Sequence, residues 1–238
     1  MDRYSRNTLI EQIGTEGQKK LTCAKVLVCG CGGLGSTVIA NLASLGIGKI
    51  GLIDCDKLEI TNYNRQYIHK ISNLGKNKVE SAKEWIEEYN SDVEVEIFPT
   101  ELGMDNYEEI VAEYDILVDC FDSFKSKFSL NEIAIKSGKI LVHGSATEFY
   151  GQVTVVIPNE TPCLHCLIPE PDIESEIKTG VISPTVSLIA SVQSSEVLKL
   201  ILNIGTPLTN EMLTYNGLKN EFKKLKTSIN SQCPLCKQ

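Results

Sequence analysis

Short apolar runs alternate with longer segments of helical periodicity along most of the chain. The first run covers residues 26–28, and after a glycine-rich turn apolar positions recur every three or four residues from Ser36 to Leu45. A second apolar run at 50–53 ends at Asp54. A strand, a helix and a strand within about 30 residues predict a βαβ unit with a right-handed crossover.

The alternation continues towards the C terminus and extends the same sheet. Helical spacing from Lys76 onward places Lys78 in the first turn of a helix. Further strands are predicted at 93–98, 115–122, 139–145, 151–157, 211–216 and 220–226, and further helices at 4–21, 107–112, 123–136 and 184–203. The pattern predicts an α/β fold, a Rossmann-like, doubly wound and mostly parallel sheet with an antiparallel C-terminal extension.

Composition narrows the class of protein. A chain of 238 residues with 42% hydrophobic content suits one large α/β domain, and a net charge of −8 disfavours nucleic acid as the main partner. No apolar run is expected to reach the roughly 20 residues that cross a bilayer, and the N-terminus lacks the apolar core of a signal peptide. We therefore expect a cytoplasmic protein that binds neither nucleic acid nor membrane and keeps its nine cysteines reduced.

The glycine-rich turn carries the first candidate chemistry. Its glycines are Gly30, Gly32, Gly33 and Gly35. Glycines allow the backbone to approach a phosphate group, and the N-terminus of the following helix offers unpaired N–H donors to it. Asp54 lies 19 residues after Gly35, where a carboxylate can accept hydrogen bonds from ribose hydroxyls. These features predict a nucleotide-binding site.

Carboxylates near the end of the strand at 115–122 extend this site. Ligands gather at the carboxyl ends of parallel strands, so Asp119 and Asp122 are expected to face the same crevice as Gly33 and Asp54. Carboxylates beside phosphates usually hold Mg²⁺. An aspartate at this position is also commonly the N-cap of the next helix, and the residues alone leave both interpretations open.

Three basic residues have more than one interpretation on spacing alone. The charge of Lys78 opposes the positive end of its helix dipole unless an anion such as phosphate lies nearby, and an exposed lysine is the alternative. Arg3 and Arg6 lie one helical turn apart in the N-terminal arm. For this pair a solvated charged face is the simpler interpretation.

Four cysteines form two Cys-x-x-Cys pairs far apart in the chain, Cys163 with Cys166 and Cys233 with Cys236. Each pair places two thiolates on one tight turn, and two such turns complete a tetrahedral zinc site. Four sulfur ligands leave no open position, so the predicted zinc is structural and His165 is not a ligand. Redox-active dithiols are the alternative.

The other five cysteines lie in or beside predicted strands, where the default is a small buried hydrophobe. They are Cys23, Cys29, Cys31, Cys55 and Cys120.

Taken together, the motifs resemble the ThiF/MoeB/HesA family, relatives of the ubiquitin-activating enzymes. In chain order they are RYSRN, GCGGLGS, LIDCD, TNYNRQ, LGKNK, DCFDS, the two Cys-x-x-Cys pairs and GVISP, between Arg3 and Cys236. The resemblance implies an adenylyltransferase that uses Mg-ATP to activate the C-terminal glycine of a small ubiquitin-like sulfur-carrier protein, ThiS-like or MoaD-like and ending in Gly-Gly, with release of pyrophosphate. It implies one adenylation domain over 1–238, with a helical arm at 1–22, a nucleotide-binding core at 23–157, and the zinc loop, long helix and tail at 158–238.

The resemblance also implies roles for single residues. Those implied to bind the nucleotide or its metal are Gly30, Gly32, Gly33, Gly35, Asp54, Asp56, Asn62, Arg65, Gln66, Lys78, Asp122 and Ser123. Arg65, Lys78 and Asp122 are implied to be catalytic, with Asp122 as a ligand of Mg²⁺. Arg6 is implied to be catalytic as well and to reach the phosphates from the neighbouring subunit of a homodimer.

Two departures from the family pattern remove no charge. The chain has Thr61 and Tyr63 where the family usually has Ser and Leu, and Ser123 follows Asp122 where the family usually has Asn. Two alternative functions remain. A nicotinamide-dependent oxidoreductase would use the glycine turn but leaves Lys78 and Arg65 unexplained, and a non-catalytic scaffold that binds a ubiquitin-like protein predicts an eroded site.

An absent cysteine bears on the end point of the reaction. Several family members carry a cysteine that bonds to the carrier, and counting back from Gly180 places Glu176 at that position. We therefore expect catalysis to stop at the acyl-adenylate, with Cys31 or Cys120 as the alternative nucleophiles. No rhodanese-like extension follows Cys236, so a separate sulfur donor is expected. The carrier's pathway, thiamine, molybdopterin or another, stays open.

Overall fold

A computed structural model describes residues 3–168 and 179–236. In chain order the strands are β1 (Lys25–Cys29), β2 (Lys49–Ile53), β3 (Glu94–Phe98), β4 (Ile116–Asp119), β5 (Ile140–Thr147), β6 (Tyr150–Val156), β7 (Glu211–Asn216) and β8 (Glu221–Lys226). The α-helices are α1 (Ser5–Thr8), α2 (Gly14–Cys23), α3 (Gly33–Leu45), α4 (Lys78–Tyr89), α5 (Tyr107–Val111), α6 (Phe124–Ser137), α7 (Leu164–Leu167) and α8 (Ser183–Leu202). Two 3₁₀ turns cover Ile60–Asn62 and Ile71–Asn73.

The strands form one eight-stranded sheet in the order β3-β2-β1-β4-β5-β6-β7-β8. The first five of these strands run parallel, and β6, β7 and β8 extend the sheet in antiparallel fashion. The predicted fold class is therefore confirmed. Because the sheet reverses order at β1, with β2 on one side and β4 on the other, the carboxyl ends of β1, β2 and β4 border a crevice of the kind that binds ligands in open α/β sheets.

Both faces of the sheet are covered, as the alternation of β1 shows. Val26 and Val28 pack in a core with α3, α4 and α8, while Leu27 and Cys29 pack in a second core with α5 and α6. Successive side chains of a strand point to opposite faces, so a strand buried on both faces is a continuous apolar run. This is the pattern that residues 26–28 carry.

Two helical predictions differ from the structure by more than two residues at a boundary. The arm predicted at 4–21 forms two helices, α1 and α2, which are separated by turns at residues 9–13, and α2 begins at Gly14, whose φ is +54°. The helix after the glycine turn begins at Gly33 instead of Ser36. There Gly32 is the N-cap, and its carbonyl accepts hydrogen bonds from both the N–H and the hydroxyl of Ser36.

The longest helix, α8, contradicts one expectation from the sequence. By length and composition alone it is apolar enough to cross a membrane, although no run of that length was expected. The apolar faces of α8 pack against α3 and against β5 and β6, and half of its most apolar window is buried inside the protein. These contacts are those of a core helix.

Candidate active site

The glycine turn between β1 and α3 adopts a conformation that requires glycine at two positions. Gly30 has φ of +101°, and a Cβ there would collide with the backbone of Cys120. A Cβ at Gly35 would overlap the carbonyl of Gly30. Gly33 lies instead under the side chain of Arg65, whose Cδ would be 3.4 Å from an added Cβ. The turn is thus packed on one side, and Gly32 and Gly33 remain partly exposed on the other.

Asp54 lies at the end of β2 and is 8% exposed. Its Oδ2 accepts a 2.7 Å hydrogen bond from the N–H of Cys31, and its Oδ1 accepts one of 2.8 Å from the N–H of Asp56. Burial raises the pKa of Asp54 above its usual value, although Lys78 and the two N–H donors favour the carboxylate. Each carboxylate oxygen accepts more than one hydrogen bond, so Asp54 can hold the glycine turn and still receive a ribose hydroxyl.

Lys78 is the first residue of α4, as predicted, and it is buried. Its Nζ donates a 2.6 Å hydrogen bond to Oδ2 of Asp56. Burial opposes the charge of Lys78, yet its pKa is raised. The carboxylates responsible are those of Asp54, Asp56 and Asp122. One buried ammonium group therefore lies among the carboxylates that follow β2 and β4.

The loop that follows β2 contains three predicted ligands, Asn62, Arg65 and Gln66. Asn62 ends the first 3₁₀ turn, and its Oδ1 accepts a 2.9 Å hydrogen bond from the N–H of Glu59. The guanidinium of Arg65 donates to Thr61 O at 3.2 Å and to Asn64 Oδ1 at 2.7 Å. Of these two side chains, that of Arg65 lies beside the partly exposed Gly33.

Gln66 lies deeper in the same loop and is 2% exposed. Its Nε2 would be 3.6 Å from a Cβ on Gly32, and its Oε1 is buried without a hydrogen-bond partner in the described ranges. The side chain of Gln66 therefore lies beside Gly32 on the protein side of the glycine turn.

Asp122 and Ser123 follow β4. The residues alone left open whether Asp122 is a metal ligand or the N-cap of the next helix. Ser123 is the N-cap of α6, and its hydroxyl accepts a 3.1 Å hydrogen bond from the N–H of Ser126. Asp122 is exposed and lies close enough to Lys78 to raise the pKa of that lysine. Because Ser123 caps the helix, the carboxylate of Asp122 is available to a metal ion or ligand.

The prediction that Asp119 also faces the crevice is wrong. Its carboxylate is fully buried and accepts hydrogen bonds from Lys127 Nζ at 3.3 Å and from His143 Nδ1 at 2.6 Å. Burial opposes the charge of Asp119, but Lys127 and His143 outweigh it and lower the pKa of the carboxyl group. The partners of Asp119 come from α6 and β5, so its role is to join those elements to the end of β4.

His69, which was not among the predicted site residues, lies in the loop between β2 and α4. The imidazole is buried, with Nε2 3.0 Å from the carbonyl oxygen of Cys31 and Nδ1 3.0 Å from the hydroxyl of Ser81. It therefore contacts the glycine turn directly. A single histidine in a polar loop carries no periodic signal, and only the fold brings it to residue 31.

Arg6 lies on α1, in an N-terminal arm that is anchored away from Lys78. Tyr4 packs on Gly46 at the end of α3, and its hydroxyl accepts a 2.8 Å hydrogen bond from Asn90 at the end of α4. Lys78 lies at the opposite end of α4, which has 12 residues and a length of about 18 Å. The arm is thus anchored at Tyr4, about a helix length from Lys78.

The two Cys-x-x-Cys pairs meet as predicted. The Sγ atoms of Cys163 and Cys233 are 3.6 Å apart, as are those of Cys166 and Cys236, and all four lie within 4.8 Å of one another. Tetrahedral zinc with Zn–S bonds of about 2.3 Å requires sulfur atoms about 3.8 Å apart, well beyond disulfide length. The donor set and its spacing fit zinc. The cluster joins the C-terminal tail to the core beneath α6.

Comparison with known proteins agrees with this geometry. The ThiF family model matches residues 4–235. This chain belongs to the ThiF family.

Relatives and solved structures of this ThiF-family chain extend the match. A sulfur carrier protein adenylyltransferase of Thermus thermophilus is 36% identical over 99% of this chain and 90% of its own length. The adenylyltransferase and sulfurtransferase MOCS3 of Culex quinquefasciatus is 38% identical, and this chain spans about half (52%) of that protein. A crystal structure of E. coli MccB with ATP superposes with a TM-score of 0.87 at 27% identity, over 99% of this chain and 73% of MccB.

The predicted burial of the five remaining cysteines of this ThiF-family chain is partly wrong. Cys29, Cys31 and Cys120 are buried, and burial raises the pKa of each thiol. Cys23, at the end of α2, and Cys55, just beyond β2, are exposed because each lies where its element leaves the core. The position of Glu176, where several family members carry a cysteine, lies outside the described residues.

Proposed function

We propose that this protein uses ATP to adenylate the C-terminal glycine of a small ubiquitin-like sulfur carrier, ThiS-like or MoaD-like, and releases pyrophosphate. One observation carries the proposal. Lys78 is a buried cation among strand-end carboxylates, beside a glycine turn whose partly exposed face lies under Arg65. Glycine backbone, cations and a carboxylate are the groups that bind a metal–triphosphate complex.

The predicted enzyme class is confirmed by the relatives, whose names describe adenylyltransferases and, in one case, action on a sulfur carrier protein. ATP as the nucleotide is supported by the MccB complex, whose fold this chain shares. A nicotinamide-dependent reaction has no comparable support, because a hydride transfer makes no use of Arg65 or Lys78.

The reaction is a displacement at phosphorus. A carboxylate oxygen of the carrier's terminal glycine attacks the α-phosphorus of ATP, the bond from this phosphorus to the bridging oxygen breaks, and pyrophosphate leaves with that oxygen. The chain then has to position two anions and neutralise their charge. Gly32 and Gly33 receive the phosphates at the start of α3, Arg65 and Lys78 neutralise them, and Asp54 holds the ribose.

Mg²⁺ completes this charge balance in the proposal. Asp122 is the ligand that we assign to it, because its carboxylate is exposed at the crevice while Ser123 serves as the helix cap. When bound, the metal supplies positive charge to the phosphate oxygens. Asp56 already pairs with Lys78, so we assign it to orienting the lysine.

A neighbouring cavity offers a path for the carrier's C-terminal tail. It has a volume of about 520 Å³ and begins at Phe124, two residues beyond Asp122. Its further lining includes Ser145, Thr147, Tyr150, Gln152 and Tyr215. Such a groove, which lies against the antiparallel strands β6, β7 and β8, suits an extended tail of small residues such as Gly-Gly.

We assign Arg6 to the site of a partner subunit. The arm is anchored at the far end of α4 by Tyr4, so Arg6 cannot reach the phosphates of its own chain without losing these contacts. In a homodimer related by a two-fold axis, an arm that reaches the other chain's crevice does so at both sites. The proposed active unit is therefore a homodimer with two composite sites.

The remaining parts of the proposal concern zinc and sulfur. The four-cysteine cluster would hold zinc as a structural ion, and we place the protein in the cytoplasm, where thiols stay reduced. A separate sulfur donor would attack the acyl-adenylate. Thiamine and molybdopterin synthesis are both open as the carrier's pathway.

Carrier-dependent exchange of pyrophosphate into ATP tests the function. Radiolabelled pyrophosphate, Mg-ATP and the protein are incubated with a ThiS-like carrier, a MoaD-like carrier, or the same carriers lacking the terminal Gly-Gly. We expect label in ATP only with an intact carrier, and the faster carrier indicates the pathway. A protein that binds carrier without exchange would be a scaffold, and a fluorescence response to nicotinamide cofactor in its place would favour the oxidoreductase.

A further inference from the structure

We propose that His69 is a positioning residue that orients the N–H of Gly32 toward a phosphate oxygen of the bound nucleotide. The inference rests on the proposed nucleotide site and adds a residue to it. The evidence is the set of hydrogen bonds made by the backbone of the glycine turn.

The peptide groups around Cys31 and Gly32 are held by named partners. The N–H of Cys31 donates to Oδ2 of Asp54 at 2.7 Å, and the carbonyl of Cys31 faces Nε2 of His69 at 3.0 Å. The carbonyl of Gly32 accepts from the N–H of Ser36 at 2.9 Å and from its hydroxyl at 2.8 Å. Within the described ranges, the N–H of Gly32 is the remaining polar group of this segment, and it has no partner.

The direction of this N–H follows from the contact with His69. The carbonyl of Cys31 and the N–H of Gly32 belong to one trans peptide group, in which the two bonds point in opposite directions. Since His69 draws the carbonyl towards the protein interior, the N–H points away from it, on the partly exposed side of the turn. An unpaired N–H at the start of a 13-residue helix is a donor for an anion.

The imidazole itself is held in one orientation. A carbonyl oxygen only accepts, so Nε2 carries the hydrogen and Nδ1 accepts from the hydroxyl of Ser81. Asn73 Nδ2 in turn donates to Ser81 at 3.0 Å, which leaves the hydroxyl hydrogen for His69. Burial lowers the pKa of His69, which favours the neutral ring that this arrangement uses.

Two substitutions of His69 test the hydrogen bond to Cys31 separately from the contact of the imidazole with Ser81. In His69→Gln the side-chain amide reaches about as far as Nε2 and can still donate to the Cys31 carbonyl. In His69→Asn the amide reaches only as far as Nδ1, so the bond to Cys31 is lost while a polar group remains beside Ser81. The matched pair therefore compares proteins of similar polarity that differ in the one contact at issue.

The measurements are the Kd of Mg-ATP by calorimetry, the KM of ATP and of the carrier in pyrophosphate exchange, and the midpoint of thermal unfolding. We expect His69→Asn to weaken ATP binding by about 10- to 100-fold, the range for one hydrogen bond to a charged group. The KM of the carrier should stay within about threefold, and His69→Gln should bind ATP within about fivefold of the wild type.

The possible results distinguish a failure of the role of His69 from a failure of the proposed function. Equal ATP affinity in His69→Asn and the wild type, or an equal loss in both variants, overturns the role of His69. A lower unfolding midpoint with unchanged affinity shows a merely structural residue and overturns it as well. If the wild type binds ATP but exchanges no pyrophosphate, the proposed function fails while the affinity ratio of the variants still decides the inference.

Discussion

Lys78 donates a 2.6 Å hydrogen bond from its Nζ to Oδ2 of Asp56, and the lysine is buried while the aspartate side chain is 61% exposed. The pair therefore presents its anionic partner to solvent and keeps its cation inside. An incoming triphosphate offers the ammonium group a stronger anion than one carboxylate. This geometry suits a lysine that is held in place before ATP binds and then contacts phosphate as well.

Lys78→Met should lower carrier-dependent exchange by about 100-fold or more, since a charged contact to the transition state is removed. Lys76→Met is the matched control, because Lys76 lies two residues earlier, before α4 begins, and pairs with Glu84 at the surface. Steady-state exchange assays check both. Exchange within about threefold of the wild type in Lys78→Met would contradict its assignment to phosphate.

Substitution of Asp119 should lower the free energy of unfolding, whereas substitution of Asp122 should abolish activity. Asp119→Asn leaves the buried charge of Lys127 without its partner, which costs about 3–5 kcal/mol of unfolding free energy. Asp122→Asn alters an exposed carboxylate, so the free energy of unfolding should change by less than about 0.5 kcal/mol while exchange is lost. Urea unfolding and exchange assays on both variants check this. Exchange near the wild-type rate in Asp122→Asn would contradict the metal-ligand role.

The two aspartates also show which features of the site can be predicted from the sequence and which cannot. The βαβ unit, the order of elements and the two cysteine pairs follow from periodicity and spacing, which act locally. Whether a strand-end carboxylate emerges into the crevice depends on partners elsewhere in the chain, here Lys127 on α6 and His143 on β5. Neither partner was visible in the pattern around Asp119. The contact of His69 with Cys31 is long-range for the same reason.

Arg6 gives a prediction about assembly. Arg6→Ala and Asp122→Ala should each be inactive alone, but a mixed dimer would combine the intact Arg6 of one chain with the intact Asp122 of the other. One site in each mixed dimer is then complete. Random exchange of subunits makes half of the dimers mixed, so about a quarter of the wild-type activity should return.

The control for this experiment is subunit exchange itself, followed by mass spectrometry of differently tagged chains. Activity that stays at the level of the two parents, in dimers that have exchanged, would place Arg6 outside the partner's site. A chain that is monomeric at assay concentration would contradict the composite site directly.

The cysteine cluster predicts one zinc per chain. Elemental analysis should find it in protein purified without chelator, and a chelator should lower the unfolding midpoint, because a four-sulfur site contributes folding free energy directly. Cys236→Ser should destabilise the protein more than it slows exchange. Cys23→Ser, an exposed cysteine on α2, is the control and should do neither. Two disulfides in place of a metal would support the redox alternative.

The exposure of Cys55 changes which thiol has to be tested as a nucleophile towards the carrier. It lies between Asp54 and Asp56 at the crevice, whereas Cys31 and Cys120 are buried. Partial desolvation and the two neighbouring carboxylates raise the pKa of Cys55, and a thiol is nucleophilic only as the thiolate. We therefore still expect catalysis to stop at the acyl-adenylate. After incubation with carrier and Mg-ATP, a non-reducing gel should contain no thiol-sensitive enzyme–carrier band, and Cys55→Ser should exchange pyrophosphate as the wild type does. A band that disappears in Cys55→Ser would identify this thiol as an acyl acceptor and contradict the expectation.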